Sequence, residues 1–262
     1  MKPDYKNWVP WGMILGFFGM GVLLLCNFII HMTDINAAGI LHDLFTVIFL
    51  VLTVIFAFMG TWMLILHARF SYHGKRQMAK QIIHGTAEYV VLPDGGHGLD
   101  VGCGSGALTI AAAKRNPKAE MLGVDRWGKE YASFNKKLCE ENAKAEQLAN
   151  VSFEKGNALN LESPDESFDA VCSNYVYHNI PSRDRQAILL ETLRVLKKGG
   201  TFAIHDIFSK AKYGDMQSFV QTLKDMGYEE VRLIPTTDGM FMSKFESVWM
   251  GLSGSALLVG KK

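Results

Sequence analysis

Two long apolar runs open the chain, and a mixed pattern follows them. Residues 9–30 hold no charged side chain, and neither do residues 44–66. Each run matches the ~20 residues that a helix needs to cross the hydrocarbon core of a bilayer. The pattern therefore predicts a transmembrane hairpin. Two core helices of a soluble protein are a rival reading, disfavoured by so long a pair of uncharged segments. A secretory signal peptide is a rival for the first run alone. Its apolar core is shorter, about 7–15 residues, although Ala37-Ala38-Gly39 has the small residues of a cleavage site.

Beyond the second run the periodicity changes. Met78, Ile82, Ile83 and Ala87 lie at helical spacing within residues 75–91. The cluster Pro93-Asp94-Gly95-Gly96 ends that helix. Short apolar runs then alternate with amphipathic stretches. Strands are expected up to Val101 and at 121–124, 151–154, 168–172 and 201–204, with helices at 107–115, 128–149, 181–196 and 215–226. Lys197-Lys198-Gly199-Gly200 reads as the cationic, glycine-closed end of the 181–196 helix. Residues 230–234 and 256–259 read as a closing antiparallel pair. The apolar connection between them, with Met240, Phe241, Met242, Phe245, Trp249 and Met250, suits core packing, a pocket wall or a lipid-facing surface. Alternating strands and helices predict an α/β fold with a mostly parallel sheet.

Charge adds an orientation. Lys2 and Lys6 precede the first run, and Arg69, Lys75, Arg76 and Lys80 follow the second. The loop 31–43 has Asp34 and Asp43 but no Lys or Arg. The positive-inside rule then places both termini and the C-terminal domain in the cytoplasm, with the loop outside. Trp8, Trp11 and Trp62 suit interfacial anchors, and His31, His42 and His67 suit interfacial polar residues. Gly12, Gly16 and Gly19 form one small-residue face, and Thr46, Thr53 and Gly60 repeat on the second run. Such faces predict close packing of the two spans. Pairing two copies into a homodimer is the alternative use of Gly12 and Gly16. The formal net charge of +1 leaves no basic footprint for nucleic acid. Four scattered cysteines without a C-x-x-C pair suit a reducing compartment and no metal site.

The candidate chemistry centres on Leu99-Asp100-Val101-Gly102-Cys103-Gly104-Ser105-Gly106-Ala107. Glycines there allow a tight turn and close ligand approach, and the N–H groups of the next helix face the turn. The spacing alone also fits a dinucleotide fingerprint. Asp100 separates the two options, because a carboxylate would repel a pyrophosphate and attract a cationic cofactor. Capping the turn is its other reading. Asp125 closes the following strand about twenty residues on, the place of a ribose-binding acid in a βαβ unit.

The stretches LDVGCGSGALTI, LGVD, FEKGNALNL, SFDAVCSNYVYHNI and LRVLKKGGTFAIHDIF follow in order from about Gly98. On these the chain resembles the class I S-adenosylmethionine-dependent methyltransferases, closest to their quinone and small-molecule branch. The resemblance implies a Rossmann-like doubly wound sheet, mostly parallel with an antiparallel last strand; the two transmembrane helices read from the uncharged runs precede it. It implies S-adenosylmethionine as cofactor, held by Asp100, Gly102, Cys103, Gly104, Gly106, Asp125, Arg126, Asn157, Ala158 and Asn174. Asn157 stands where the family commonly has an acid or amide bonding the adenine amine; an ordinary strand-end turn is its other reading. The helix before the first strand would cover the cofactor. The expected divisions are a hairpin over 1–68, a juxtamembrane segment and covering helix over 69–97, and a methyltransferase domain over 98–262.

Residues 173–179 leave the carboxyl end of the fourth strand, the edge where open α/β sheets bind ligands. His178 is the first candidate for a general base. Tyr175 is the second, with Tyr177 and His205 in reserve; a shaping or packing role is the alternative for each. The expected function is a membrane-anchored methyltransferase whose partners are the lipid bilayer and an apolar or membrane-associated small-molecule acceptor. An NAD-dependent oxidoreductase on the same fold and a non-catalytic membrane sensor that binds S-adenosylmethionine are the alternatives.

Overall fold

The structure, a computed structural model, describes residues 2–34, 39–128 and 133–262. Ala37 and Ala38 of the candidate cleavage motif lie outside the described residues. The chain divides into two compact units, residues 7–79 and residues 2–6 with 80–262. The N-terminal residues thus group with the larger unit and not with the apolar helices that follow them.

The smaller unit is a pair of helices, α1 (Trp11–Thr33) and α2 (Ile40–Phe70). At 1.5 Å per residue they run about 35 and 46 Å, enough to cross a ~30 Å hydrocarbon core. Their apolar side chains point outward: Leu15 is 64% exposed, Val54 61% and Phe58 68%. The hydroxyls of Thr46, Thr53 and Thr61 donate to the carbonyls of His42, Phe49 and Ala57, one turn back. Polar groups satisfied inside their own helix suit an apolar surrounding.

The packing of the pair differs from the expected small-residue face. Among the described residues, nothing outside their own helix backbone lies within 4 Å of where a Cβ would sit on Gly12, Gly16 or Gly19. The contact is made by Gly60, where a Cβ would meet the Phe18 ring at 2.9 Å, and by Gly21, where it would meet Phe56 at 3.6 Å. The Phe18 ring of α1 fills the space over Gly60, while Gly21 lies against the Cβ of Phe56 and the backbone of Phe56 and Ala57 on α2. At one end of the pair, His67 Nδ1 bonds the Val9 carbonyl (2.7 Å) and Asn7 donates to the His67 carbonyl (2.8 Å).

The larger unit is a seven-stranded sheet with helices on its faces. Helix α3 (Met78–Ala87) leads into it. Then come β1 (His97–Val101), α4 (Ala107–Arg115), β2 (Glu120–Asp125), α5 (Lys136–Ala145), β3 (Val151–Lys155) and β4 (Phe168–Asn174). They are followed by α6 (Arg185–Arg194), β5 (Leu196–Ile207), α7 (Lys210–Tyr213), α8 (Met216–Asp225), β6 (Glu229–Pro235), α9 (Lys244–Trp249) and β7 (Ser255–Lys261). The strand order is β3-β2-β1-β4-β5-β7-β6, parallel except for β7, which runs antiparallel to β5 and β6. Leu99, Val171, Phe202, Ile204 and Leu258 are fully buried on the central strands, as the near-continuous apolar runs of a sheet covered on both faces require.

Two helices are shorter than their periodicity suggests, and in both a side chain captures the first turn. Asn135 accepts from Leu138 N and starts α5, so the helix does not run from 128; residues 129–132 lie outside the described set. Asp184 accepts from Ala187 N and starts α6. Lys197–Gly200 belong to β5 and do not cap α6. Lys197 Nζ instead bonds both Asp169 carboxylate oxygens at 2.9 Å, holding the β4–β5 pair together.

Candidate active site

The strand order reverses direction between β1 and β4, and the connections leaving these two strands diverge there. Open α/β sheets bind ligands at such a switch point, outside the carboxyl ends of the strands. The glycine turn follows β1. Gly102, Gly104 and Gly106 have φ of 76°, 56° and 79°, the left-handed region that glycine enters at little cost. A Cβ on Gly102 would lie 2.3 Å from Val176 Cγ2, so that residue also lets the β4 exit pass close by. Among the described residues, a Cβ on Gly104 would meet nothing nearer than Phe134 at 4.0 Å.

Asp125, at the end of β2, is tied to the turn. Its Oδ2 accepts from Gly104 N (2.9 Å) and its Oδ1 from Trp127 N (2.7 Å). The Trp127 indole N–H donates back to the Gly104 carbonyl (3.0 Å). Each carboxylate oxygen keeps a second lone pair for a hydroxyl donor.

Asp100 is placed otherwise than its position in the motif suggests. It lies beneath the turn, 1% exposed, and not at its tip. Its strand register sets it between Gly123 and Cys172, under α4, where the Thr109 hydroxyl donates to Oδ2 (2.6 Å). The other oxygen, Oδ1, has no partner among the described residues. Burial pushes this carboxyl up to about 7. The open anion of the sequence argument is therefore a buried acid, half-protonated near neutrality and short of one donor.

Cys103 is buried too, its thiol pushed well up by desolvation. Its side chain packs toward Gly123, so any ligand contact from this residue comes from its backbone. Arg126 is exposed beside Asp125. Asn157 and Ala158 follow β3 at the sheet edge. Asn157 Oδ1 accepts from Leu159 N (3.1 Å), closing the strand-end turn that was its other reading. Ala158 packs against the core.

A second cluster forms where β4 and β5 end. Neighbouring residues of a strand face opposite sides, so His205 and Asp206 separate. Asp206 is fully buried and collects four donors. Oδ1 takes His178 Nδ1 (2.5 Å) and Ile207 N (2.6 Å); Oδ2 takes Tyr177 N (2.8 Å) and His178 N (3.3 Å). The carboxylate holds the proton on His178 Nδ1 and leaves Nε2 its lone pair. Tyr175, at φ +55°, stands edge-on to His178 at 5.9 Å. Its hydroxyl bonds Ser255 Oγ (2.8 Å), and burial pushes the phenol up.

The two reserve candidates are buried and hydrogen-bonded within the fold. His205 is fully buried, with Nδ1 on Asn174 Oδ1 (2.8 Å) and Nε2 on Thr236 Oγ1 (2.9 Å). Burial pulls it down to about 3, so it is neutral with both nitrogens engaged. Tyr177 is buried, and its hydroxyl pairs with Thr192 (2.8 Å). Asn174 thus has its carbonyl oxygen committed to His205. The structure gathers Asp100, the three glycines and Asp125 in one place, and Tyr175, His178 and Asn174 in the adjoining one. Sequence reasoning missed Thr109, Trp127 and the role of Asp206. Strand alternation at His205-Asp206 was the available signal for the last.

Fold and site together define a Rossmann-like α/β domain with a glycine turn built for a small ligand. A methyltransferase-domain family model matches residues 92–235, and the chain belongs to that family. It is 38% identical over 116 residues to a demethylmenaquinone methyltransferase of Geobacillus sp. (strain WCH70), covering 44% of this chain and 47% of that one. It is 37% identical over 103 residues to an uncharacterized methyltransferase of Schizosaccharomyces pombe, covering 39% and 36%. The chain thus spans less than half the length of these curated relatives. Among solved structures it resembles the [4+2]-cyclase SpnF (TM-score 0.53, 19% identity, covering 71% of this chain and 82% of that one). It also resembles a geranyl diphosphate methyltransferase in complex with GPP and sinefungin (TM-score 0.51, 14% identity, 68% and 76%). A cyclase among the neighbours shows that this fold alone does not name a reaction.

Proposed function

We propose that the chain is a membrane-anchored, S-adenosylmethionine-dependent methyltransferase acting on an apolar, membrane-associated acceptor. The carrying observation is Asp125 locked to the glycine turn in a domain of the methyltransferase family. The residues fit this cofactor. Asp125 has lone pairs left for ribose hydroxyls; among the described residues nothing comes nearer than 4.0 Å to a Cβ on Gly104, and Asp100 Oδ1 lacks a donor. The family match favours this reading over a nicotinamide oxidoreductase.

The cofactor supplies an electrophilic methyl group on a sulfonium. The chain's own part is alignment and proton removal. His178 Nε2 takes the proton from the acceptor's O–H or acidic C–H. Asp206 keeps the ring oriented and steadies the imidazolium that forms, much as the acid of a catalytic triad does. Tyr175 and Asn174 shape the wall beside it.

The quinone-like character of the acceptor is supported by the names of the relatives and by the two helices of membrane-crossing length. The charge pattern supports cytoplasmic termini. Calorimetry with S-adenosylmethionine tests the core of the reading: binding is expected, weakened at least tenfold in Asp125→Asn, and no binding by the wild type would end it. Radiolabelled methyl donor incubated with protein and native membranes tests the acceptor. Label recovered only in water-soluble products would exclude an apolar one. For topology, Gly39→Cys should react with an impermeant maleimide on intact cells and Lys75→Cys only after permeabilisation; the reverse pattern would invert the orientation.

A further inference from the structure

Asn142 on α5 plays no part in the chemistry above, yet its amide is one of the most committed side chains in the larger unit. It is 2% exposed. Its Oδ1 accepts from Asp4 N (2.7 Å), while Nδ2 donates to the Asp4 carbonyl (3.0 Å) and to the Ser105 carbonyl (3.0 Å). Only a primary amide can both accept from and donate to one residue's main chain and keep a second N–H for another partner. Here that other partner is the middle of the glycine turn. Tyr5, 5% exposed, continues the attachment, its hydroxyl donating to Glu146 Oε1 (2.9 Å). Glu146 in turn accepts from Lys114 Nζ on α4 (2.5 Å), the helix that the glycine turn begins.

We infer that residues 2–6 are a strap of the cofactor site, with Asn142 as the positioning residue that transmits their docking to the turn. With Asp4 in place, both ends of the amide are engaged and the second N–H is aimed at Ser105. Without Asp4, the amide has a buried acceptor and donor to satisfy, and rotation to do so releases the Ser105 carbonyl. The turn's peptide groups then lose the side-chain bond that, among the described residues, fixes Ser105 from α5. This inference rests on the reading of the glycine turn as the S-adenosylmethionine site.

The test uses the full chain in detergent micelles, with S-adenosylmethionine affinity measured by calorimetry and amide exchange measured by mass spectrometry. Deleting residues 2–5 is expected to weaken S-adenosylmethionine about tenfold and to speed exchange at residues 103–106, leaving the β4 amides unchanged. Asn142→Ala should do the same, and the combination should be no worse than either alone, because both break one path. Tyr5→Phe, which retains the fold's packing, should give a smaller loss in the same direction. An affinity within twofold of wild type after the deletion, or effects that multiply in the combined variant, would overturn the inference. A lowered unfolding temperature with unchanged affinity and unchanged exchange at the turn would also overturn it, assigning Asn142 a purely structural role. If the wild type binds no S-adenosylmethionine, the cofactor reading falls, and the exchange measurement still decides whether the strap holds the turn.

Discussion

Two buried groups near the site should pull the pH dependence of stability in opposite directions. Asp100 moves from an ordinary 3.8 up to about 7, through burial. His205 moves from 6.5 down to about 3, also through burial. Between pH 4 and 6.5 the folded protein holds a proton on Asp100 that the unfolded chain has lost, so this acid makes stability fall as pH rises. Over the same window the unfolded chain holds a proton on His205 that the folded protein excludes, so this histidine makes stability rise with pH. Each pH unit between folded and unfolded values corresponds to about 1.4 kcal/mol, giving upper limits of about 4 kcal/mol for Asp100 and about 5 kcal/mol for His205. The two slopes nearly cancel in the wild type. Asp100→Asn removes one of them. Its unpaired amide adds a constant cost of about 1–3 kcal/mol, but the difference between the proteins must change with pH. Relative to wild type, the variant should gain up to about 4 kcal/mol as pH goes from 4 to 7.5. Urea unfolding without cofactor, in detergent micelles and followed by circular dichroism at half-unit pH steps, measures this. A difference that stays flat across the range would refute the assignment of Asp100 as a buried acid that titrates near neutrality.

Other outcomes follow from single contacts. Thr109→Val removes the hydroxyl bond to Asp100 Oδ2; it should cost about 1–3 kcal/mol and move the Asp100 titration to higher pH, seen in the same unfolding series. Gly102→Ala forces a Cβ to 2.3 Å from Val176 at φ +76°; a loss of about 2–4 kcal/mol is expected, lowering the thermal midpoint by several degrees. Asp206→Asn weakens the hold on His178 Nδ1; methyl incorporation into native membranes should fall about a hundredfold or more, with S-adenosylmethionine affinity little changed. A rate within a few-fold of wild type would remove His178 as an oriented base.

The glycine turn and its flanking strands were legible because they answer to local demands. Gly102, Gly104 and Gly106 must adopt left-handed backbone, and that need is written at three adjacent alternate positions. The long uncharged runs were legible for the same kind of reason, since helix length and hydropathy are properties of a segment. Helix starts were less legible. Asn135 and Asp184 begin α5 and α6 inside stretches whose periodicity extends further back. The glycines of α1 misled: Gly12, Gly16 and Gly19 lie on one face, but it is Gly21, against the Phe56–Ala57 backbone, and Gly60, under the Phe18 ring, that meet the other helix.

By itself, then, the order of residues determined the two apolar helices, the alternation that builds a mostly parallel sheet, and the turn that follows β1. Only the tertiary structure decided the state of the groups around that turn. Asp100 reads as an anion at a strand tip until Cys172, Gly123 and Thr109 enclose it and push its titration to about 7. His178 gains its orientation from Asp206, 28 positions away, and Asn142 meets Asp4 across 138. Burial and distant partners set charge and orientation. Both depend on which strands and helices become neighbours, a fact carried by no single segment.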